Sequence, residues 1–254
     1  MEGSSSTASS SCVRPSRQVV TRKRILFVRG FNTDNIRTND AYSHVREVLS
    51  QKHTVEYFGY NPNDDIEDVY QRLCETIRAN RSDGPTHLIG HSMGGGLLMR
   101  WVKDHYTTKQ TKYRQIEKVV LLMPLVYKVG ILESLCQITL AGRLFVPKAL
   151  ILPASQTFTD GNLLNDDFSL LPVKQIVGMY RRYMLDSTDL VDTLNHHSDK
   201  VVLFYAKEEA FNVIPTEILD EIDHVVYVDG LHESFNGRNT SRAFFKALLR
   251  HISK

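Results

Sequence analysis

Six short apolar runs, each followed by a turn and then by an amphipathic stretch, limit this chain more than any other feature of its sequence. Ile25-Leu26-Phe27-Val28 comes first, then His53 to Phe58, Thr86 to Ile89, Val119 to Met123, Val201 to Ala206 and Val225 to Val228. Ile25–Val28, apolar without alternation, has the look of a buried strand, and the other runs also read as strands. Between them, apolar residues recur at helical spacing: Tyr42, Val45 and Leu49; Ile66, Val69, Leu73 and Ile77; Leu97, Leu98, Trp101 and Val102. Phe244, Phe245, Leu248, Leu249 and Ile252 form a final amphipathic helix. Asp64 and Asp65 precede the second of these helices, where acids complement the helix dipole. Strand and helix in alternation predict an α/β domain with a mainly parallel six-stranded sheet covered on both faces.

The rhythm breaks between about 125 and 198. Helical segments are expected there around Ile131–Leu140, Val173–Leu185 and Asp189–Leu194, with Pro147, Pro153 and Pro172 between them. This stretch reads as a cap inserted over the C-terminal edge of the sheet. Residues 1–20 are Ser-rich and then basic, with little to bury, and read as a disordered tail. Residues 21–254 then form a single domain.

Composition narrows the function classes. With 31 basic and 29 acidic side chains, the net charge of +2 gives no electrostatic argument for nucleic acid. Three widely separated cysteines (Cys12, Cys74, Cys136) form neither a disulfide framework nor a zinc pattern. The N-terminus lacks the apolar core of a secretory signal, and no stretch reaches the roughly 18 apolar residues of a membrane span. A cytoplasmic protein is expected, although the basic tail leaves a transient contact with a membrane surface open. The sequence carries no signal of oligomeric state.

The third apolar run leads directly into Gly90-His91-Ser92-Met93-Gly94, and a helix opens directly after it. Gly-x-Ser-x-Gly is a weak signal alone, but strand before and helix after is the setting the motif requires. A serine squeezed into that turn takes a strained backbone that lifts its hydroxyl above the sheet. Side chains at 90 and 94 would collide with neighbouring backbone. The helix N-terminus directs free amides and its positive dipole end toward a reacting carbonyl oxygen.

Gly-His-Ser-Met-Gly-Gly in this setting resembles the α/β-hydrolase superfamily, and within it the small esterases and lipases with a helical cap. The likeness runs from about residue 24 to the C-terminus. It implies a chain order of serine, acid, histidine. His232, on a loop after the last strand, is the histidine that resembles the family's base. His196, His197 and His224 precede strands, His251 lies on the terminal helix, His87 lies within a strand and His91 flanks the serine as a packing residue. Glu209, after the fifth strand, aligns best with the acid, where many relatives carry Asp; Glu208 is the rival, and Asp229 a local substitute. The resemblance assigns the oxyanion hole to the backbone amides of Phe31 and Met93, with Arg29-Gly30-Phe31 standing where relatives often read His-Gly-x.

What the resemblance implies is hydrolysis of a carboxylic ester, of a lipid or a small acyl compound, through an acyl-enzyme, with no cofactor or metal. An apolar cap (Leu125, Ile131, Leu135, Ile138, Leu140, Leu144, Phe145, Val146) would favour an acyl chain, or would simply glue the cap to the core. Two other readings stay open at this point: a fold-retaining binding protein with little catalysis, and another serine-dependent reaction such as acyl transfer, thioester or peptide hydrolysis.

Overall fold

The computed structural model describes residues 22–30, 42–61, 64–79, 85–105, 113, 115–128, 145–147, 170–209, 212–230, 232 and 242–253, with backbone only at 145–147 and 170–177. The tail at 1–20, the helix expected at Ile131–Leu140 and Phe31 lie outside these residues.

All six apolar runs are strands of one parallel sheet. β1 (Arg24–Val28), β2 (Thr54–Phe58), β3 (His87–His91), β4 (Lys118–Leu122), β7 (Val201–Ala206) and β8 (Val225–Val228) lie in the order β2-β1-β3-β4-β7-β8. Every pairing is parallel, with Ile25 beside His87, His87 beside Lys118 and Val119 beside Val201. The ends of β1, β2, β3 and β4 shift slightly from the sequence reading. His87 opens β3, and β4 stops at Leu122 because Met123 takes φ 39°, outside the strand region.

Helices α1 (Ser43–Ser50), α2 (Ile66–Ala79), α3 (Met93–His105), α5 (Ser187–His196), α6 (Thr216–Leu219) and α7 (Arg242–Ile252) cover the sheet, and α4 (Val173–Arg182) packs on α2. Because side chains alternate across a strand, each strand feeds two cores. Leu26, Leu88, Val119, Leu121 and Leu203 pack with α2, α3 and α5. Ile25, Phe27, Ile89, Val120, Val202 and Phe204 pack with α1 and α7. The residues expected to form the stripe of α3 (Leu97, Leu98, Trp101, Val102) are all 0% exposed. Asp65 caps α2, its carboxylate accepting from Glu67 N at 3.0 Å.

Within 125–198, two of the expected helices are α4 and α5, and a short antiparallel pair joins β5 (Phe145–Pro147) to β6 (Leu170–Pro172). Pro147 and Pro172 end these strands, where a missing N–H costs no ladder bond. Chain leaving the sheet at Tyr127 bridges to Leu185 on its return, with Leu185 N donating to Val126 O at 2.7 Å and Lys128 N to Leu185 O at 3.2 Å. Tyr183 OH and Arg182 both donate to Glu67 in the first turn of α2 (2.8 and 3.1 Å). These contacts hold the end of α4 at the C-terminal edge of the sheet. Among the described residues no helix is long and apolar enough to cross a membrane.

Candidate active site

The turn between β3 and α3 carries Ser92 in the left-handed region, φ 52°. A side chain pays roughly 1–2 kcal/mol there, so the surroundings must hold the turn in place. Ser92 N donates to Leu122 O at 3.0 Å, and Ser92 O accepts from Gly96 N at 3.0 Å and from Leu125 N at 2.8 Å. Close approach explains the flanking glycines. A Cβ on Gly90 would stand 2.7 Å from Gly94 O, and one on Gly94 would stand 2.3 Å from Val28 O. Both obstacles are backbone and cannot swing away.

The expected acid and base, Glu209 and His232, follow the ends of β7 and β8. Past Ala206 the chain turns: Lys207 N donates to Val228 O (2.9 Å), Glu208 N to Gly230 O (3.1 Å) and Glu209 N to Ala206 O (3.1 Å). This turn leaves Glu208 exposed and sends Glu209 inward, its side chain 1% exposed. Gly230, at φ 98°, bends the chain after β8 toward His232. His232 Nδ1 then lies 2.8 Å from Glu209 Oε2. The other carboxylate oxygen accepts from Asn212 N at 3.1 Å. An ionised carboxylate only accepts, so the bonding pattern assigns the imidazole proton to Nδ1 and leaves Nε2 as the basic nitrogen. Asp229, the local alternative, instead pairs with Lys207 at 2.7 Å on the surface. His232 shares a corner with the serine turn: its ring centroid is 5.1 Å from that of His91, the residue before Ser92.

No family model and no curated protein matches the sequence. Solved structures do. The chain is similar to 2-hydroxy-6-oxo-6-phenylhexa-2,4-dienoate hydrolase from Rhodococcus sp. strain RHA1, at 14% identity and TM-score 0.58, over 92% of this chain and 91% of that one. It is similar to the enol-lactonase of Burkholderia xenovorans LB400, at 15% identity and TM-score 0.55, over 92% of both chains. It is also similar to a bromoperoxidase from Bacillus anthracis, at 17% identity and TM-score 0.55, over 92% and 93%. The chain has the α/β-hydrolase fold. At such identities the likeness reaches no further than architecture, and these three neighbours carry different names.

In this α/β-hydrolase-fold chain Met93, 1% exposed, is the first residue of α3, where backbone N–H groups have no partner within the helix. Gly30, the residue before Phe31, faces the serine: a Cβ there would lie 3.2 Å from Ser92 Cβ. The expected base and acid are thus brought into contact, and the loop after β1 reaches the serine turn.

Sequence reasoning missed Asn212. Its side chain is buried among backbone groups at the start of the 125–198 stretch. Oδ1 accepts from Val126 N (3.1 Å) and Tyr127 N (3.2 Å), and Nδ2 donates to Tyr127 O (2.9 Å). One residue therefore holds Glu209 with its backbone and the 126–127 segment with its side chain. His87 and His251 lie elsewhere: His87 Nε2 meets Ile252 O at 2.6 Å, and His251 packs on Phe204.

Proposed function

We propose that the chain is a serine hydrolase that cleaves a carboxylic ester of a lipid or small acyl compound. The observation that carries this reading is the buried 2.8 Å Glu209–His232 pair, set beside a serine held at φ 52° between strand and helix.

Ser92 Oγ attacks the acyl carbon while His232 Nε2 takes its proton. Glu209 holds the Nδ1–H and offsets the charge that develops on the imidazolium. The amides of Phe31 and Met93 stabilise the oxyanion, aided by the N-terminal end of α3. Collapse expels the alcohol, protonated by His232; water, giving its proton to His232, then attacks the acyl carbon, and the acid leaves as that proton returns to Ser92 Oγ. Glu replaces the Asp common in relatives, and its longer side chain is accommodated by the turn at 206–209. The 125–198 stretch is read as a cap that favours an acyl group; of the apolar residues expected to form it, Leu125 packs in the core and the others lie outside the described side chains. The buried free thiol of Cys74 suits a reducing, cytoplasmic setting.

A fluorophosphonate probe tests the nucleophile. Folded wild-type protein should be labelled and Ser92→Ala should not; absence of labelling of wild type would sink the reading. A panel of acyl esters of graded length, with a lactone included, then defines the substrate. Fastest turnover of the shortest ester, with no gain from longer chains, would count against an acyl-binding cap.

A further inference from the structure

Tyr42, immediately before α1, is 5% exposed, and its ring packs edge-on against Phe27 of β1 (5.4 Å) and His91 of β3 (5.8 Å). Its hydroxyl lies 3.0 Å from Gly30 N and 2.8 Å from His91 Nδ1. The directions of these bonds follow from donor inventory. A backbone N–H only donates, so the hydroxyl accepts from Gly30, and its single proton is available to His91 Nδ1. His91 then carries its proton on Nε2, which points to the carbonyl oxygen of His232 at a longer 3.4 Å. The other tautomer would set the Nε2 lone pair against the lone pairs of that carbonyl.

Burial holds the His91 imidazole well below its ordinary protonation range, and the neighbouring His232 pushes it further down. It therefore stays neutral when His232 takes up a proton. The line of bonds from Gly30 through Tyr42 and His91 to His232 spans the two loops on either side of Ser92.

We infer that Tyr42 and His91 are positioning residues for the reaction of Ser92: they fix the Gly30 peptide, at the entrance to the oxyanion loop, and the backbone of His232 relative to one another. Neither touches the reacting atoms. The inference rests on the proposed serine chemistry and adds to it the device that keeps oxyanion donor and base in register through the catalytic cycle.

Tyr42→Phe in the full chain tests it, because the ring and its packing remain while the hydroxyl goes. On an ester that wild type turns over, kcat should fall about tenfold with KM within about twofold, short of the hundredfold or more that follows loss of an oxyanion donor itself. Nitrogen-15 chemical shifts of the His91 ring report the second effect: Nε2–H in wild type, a mixture of tautomers in Tyr42→Phe. His91→Asn, which keeps an acceptor near the Nδ1 position, should retain more kcat than His91→Leu at matched thermal stability. An unchanged kcat in Tyr42→Phe, or a wild-type His91 protonated on Nδ1, overturns the relay while leaving the Ser92 chemistry standing. Wild type that fails to react with the fluorophosphonate overturns that chemistry instead, and the inference with it.

Discussion

Glu209 Oε2 and His232 Nδ1 lie 2.8 Å apart, with the carboxylate side chain 1% exposed and the imidazole 7% exposed. Glu208, one residue earlier, faces solvent. Glu209→Gln presents an amide where a charge and an acceptor stood, and it no longer favours the Nδ1–H tautomer. Turnover of an ester substrate should fall by about 10³–10⁴, the scale of losing the orienting acid in a triad. Glu208→Gln should stay within about twofold of wild type. Parallel steady-state assays of the two variants decide the matter, and comparable losses in both would refute the assignment.

Asn212 ties the acid turn to the 126–127 backbone. Asn212→Ala strands two N–H groups and a carbonyl, which should lower stability by about 2–4 kcal/mol in urea unfolding. Asn212→Asp still accepts from Val126 and Tyr127 but cannot donate to Tyr127 O. It should recover part of the loss at neutral pH. Equal stabilities for Ala and wild type would show the bolt to be dispensable.

The φ of 52° at Ser92 inverts a familiar ranking. Gly usually destabilises relative to Ala, but here Ala inherits the left-handed strain and Gly does not. Ser92→Gly should unfold at a higher temperature than Ser92→Ala, by the equivalent of about 1 kcal/mol. Calorimetry on both variants measures it directly.

Three buried histidines set the acid limb of stability. His53, His91 and His197 all have their protonation lowered from 6.5, in each case chiefly by burial. For His53 the nearby His87, Lys23 and Lys52 lower it further. The unfolded chain thus takes up protons near pH 6.5 that the native state refuses, so stability is full above that pH and is lost as pH falls toward the native values. Among the described residues neither ring nitrogen of His53 has a hydrogen-bond partner. His53→Leu should therefore be no less stable at pH 7.5 and should lose less stability than wild type at pH 5.5. Urea midpoints at the two pH values provide the check.

Much of this architecture was legible in the sequence because its signals are periodic or local. Val119 to Leu122 is apolar on both faces and reads as a buried strand, and Gly90 and Gly94 mark the serine turn through their spacing between a strand and a helix. Met123 defeated the strand boundary: its side chain is as apolar as its neighbours, and only its backbone departs. Glu209 against Glu208 was a question of turn geometry, decided by the bond from Glu209 N to Ala206 O. Asn212 and Tyr42 were out of reach for another reason. Each acts through hydrogen bonds to residues far away in the chain, and such pairings leave no spacing to read. The β5–β6 pair went unseen because Pro147 and Pro172 signal a break more strongly than three residues can signal a strand.

The bridge between Tyr127 and Leu185 puts the exit and re-entry points of the excursion about one strand spacing apart, roughly 4.8 Å. Chain that leaves the sheet at Tyr127 thus returns at Leu185 beside its own exit, and Tyr183 and Arg182 fasten the return to Glu67. Loop closure costs little more as a loop grows, so the chain between can change in length while the bridge holds its two ends. On the proposed reading, substrate range can then drift on one timescale while the serine turn stays fixed on another.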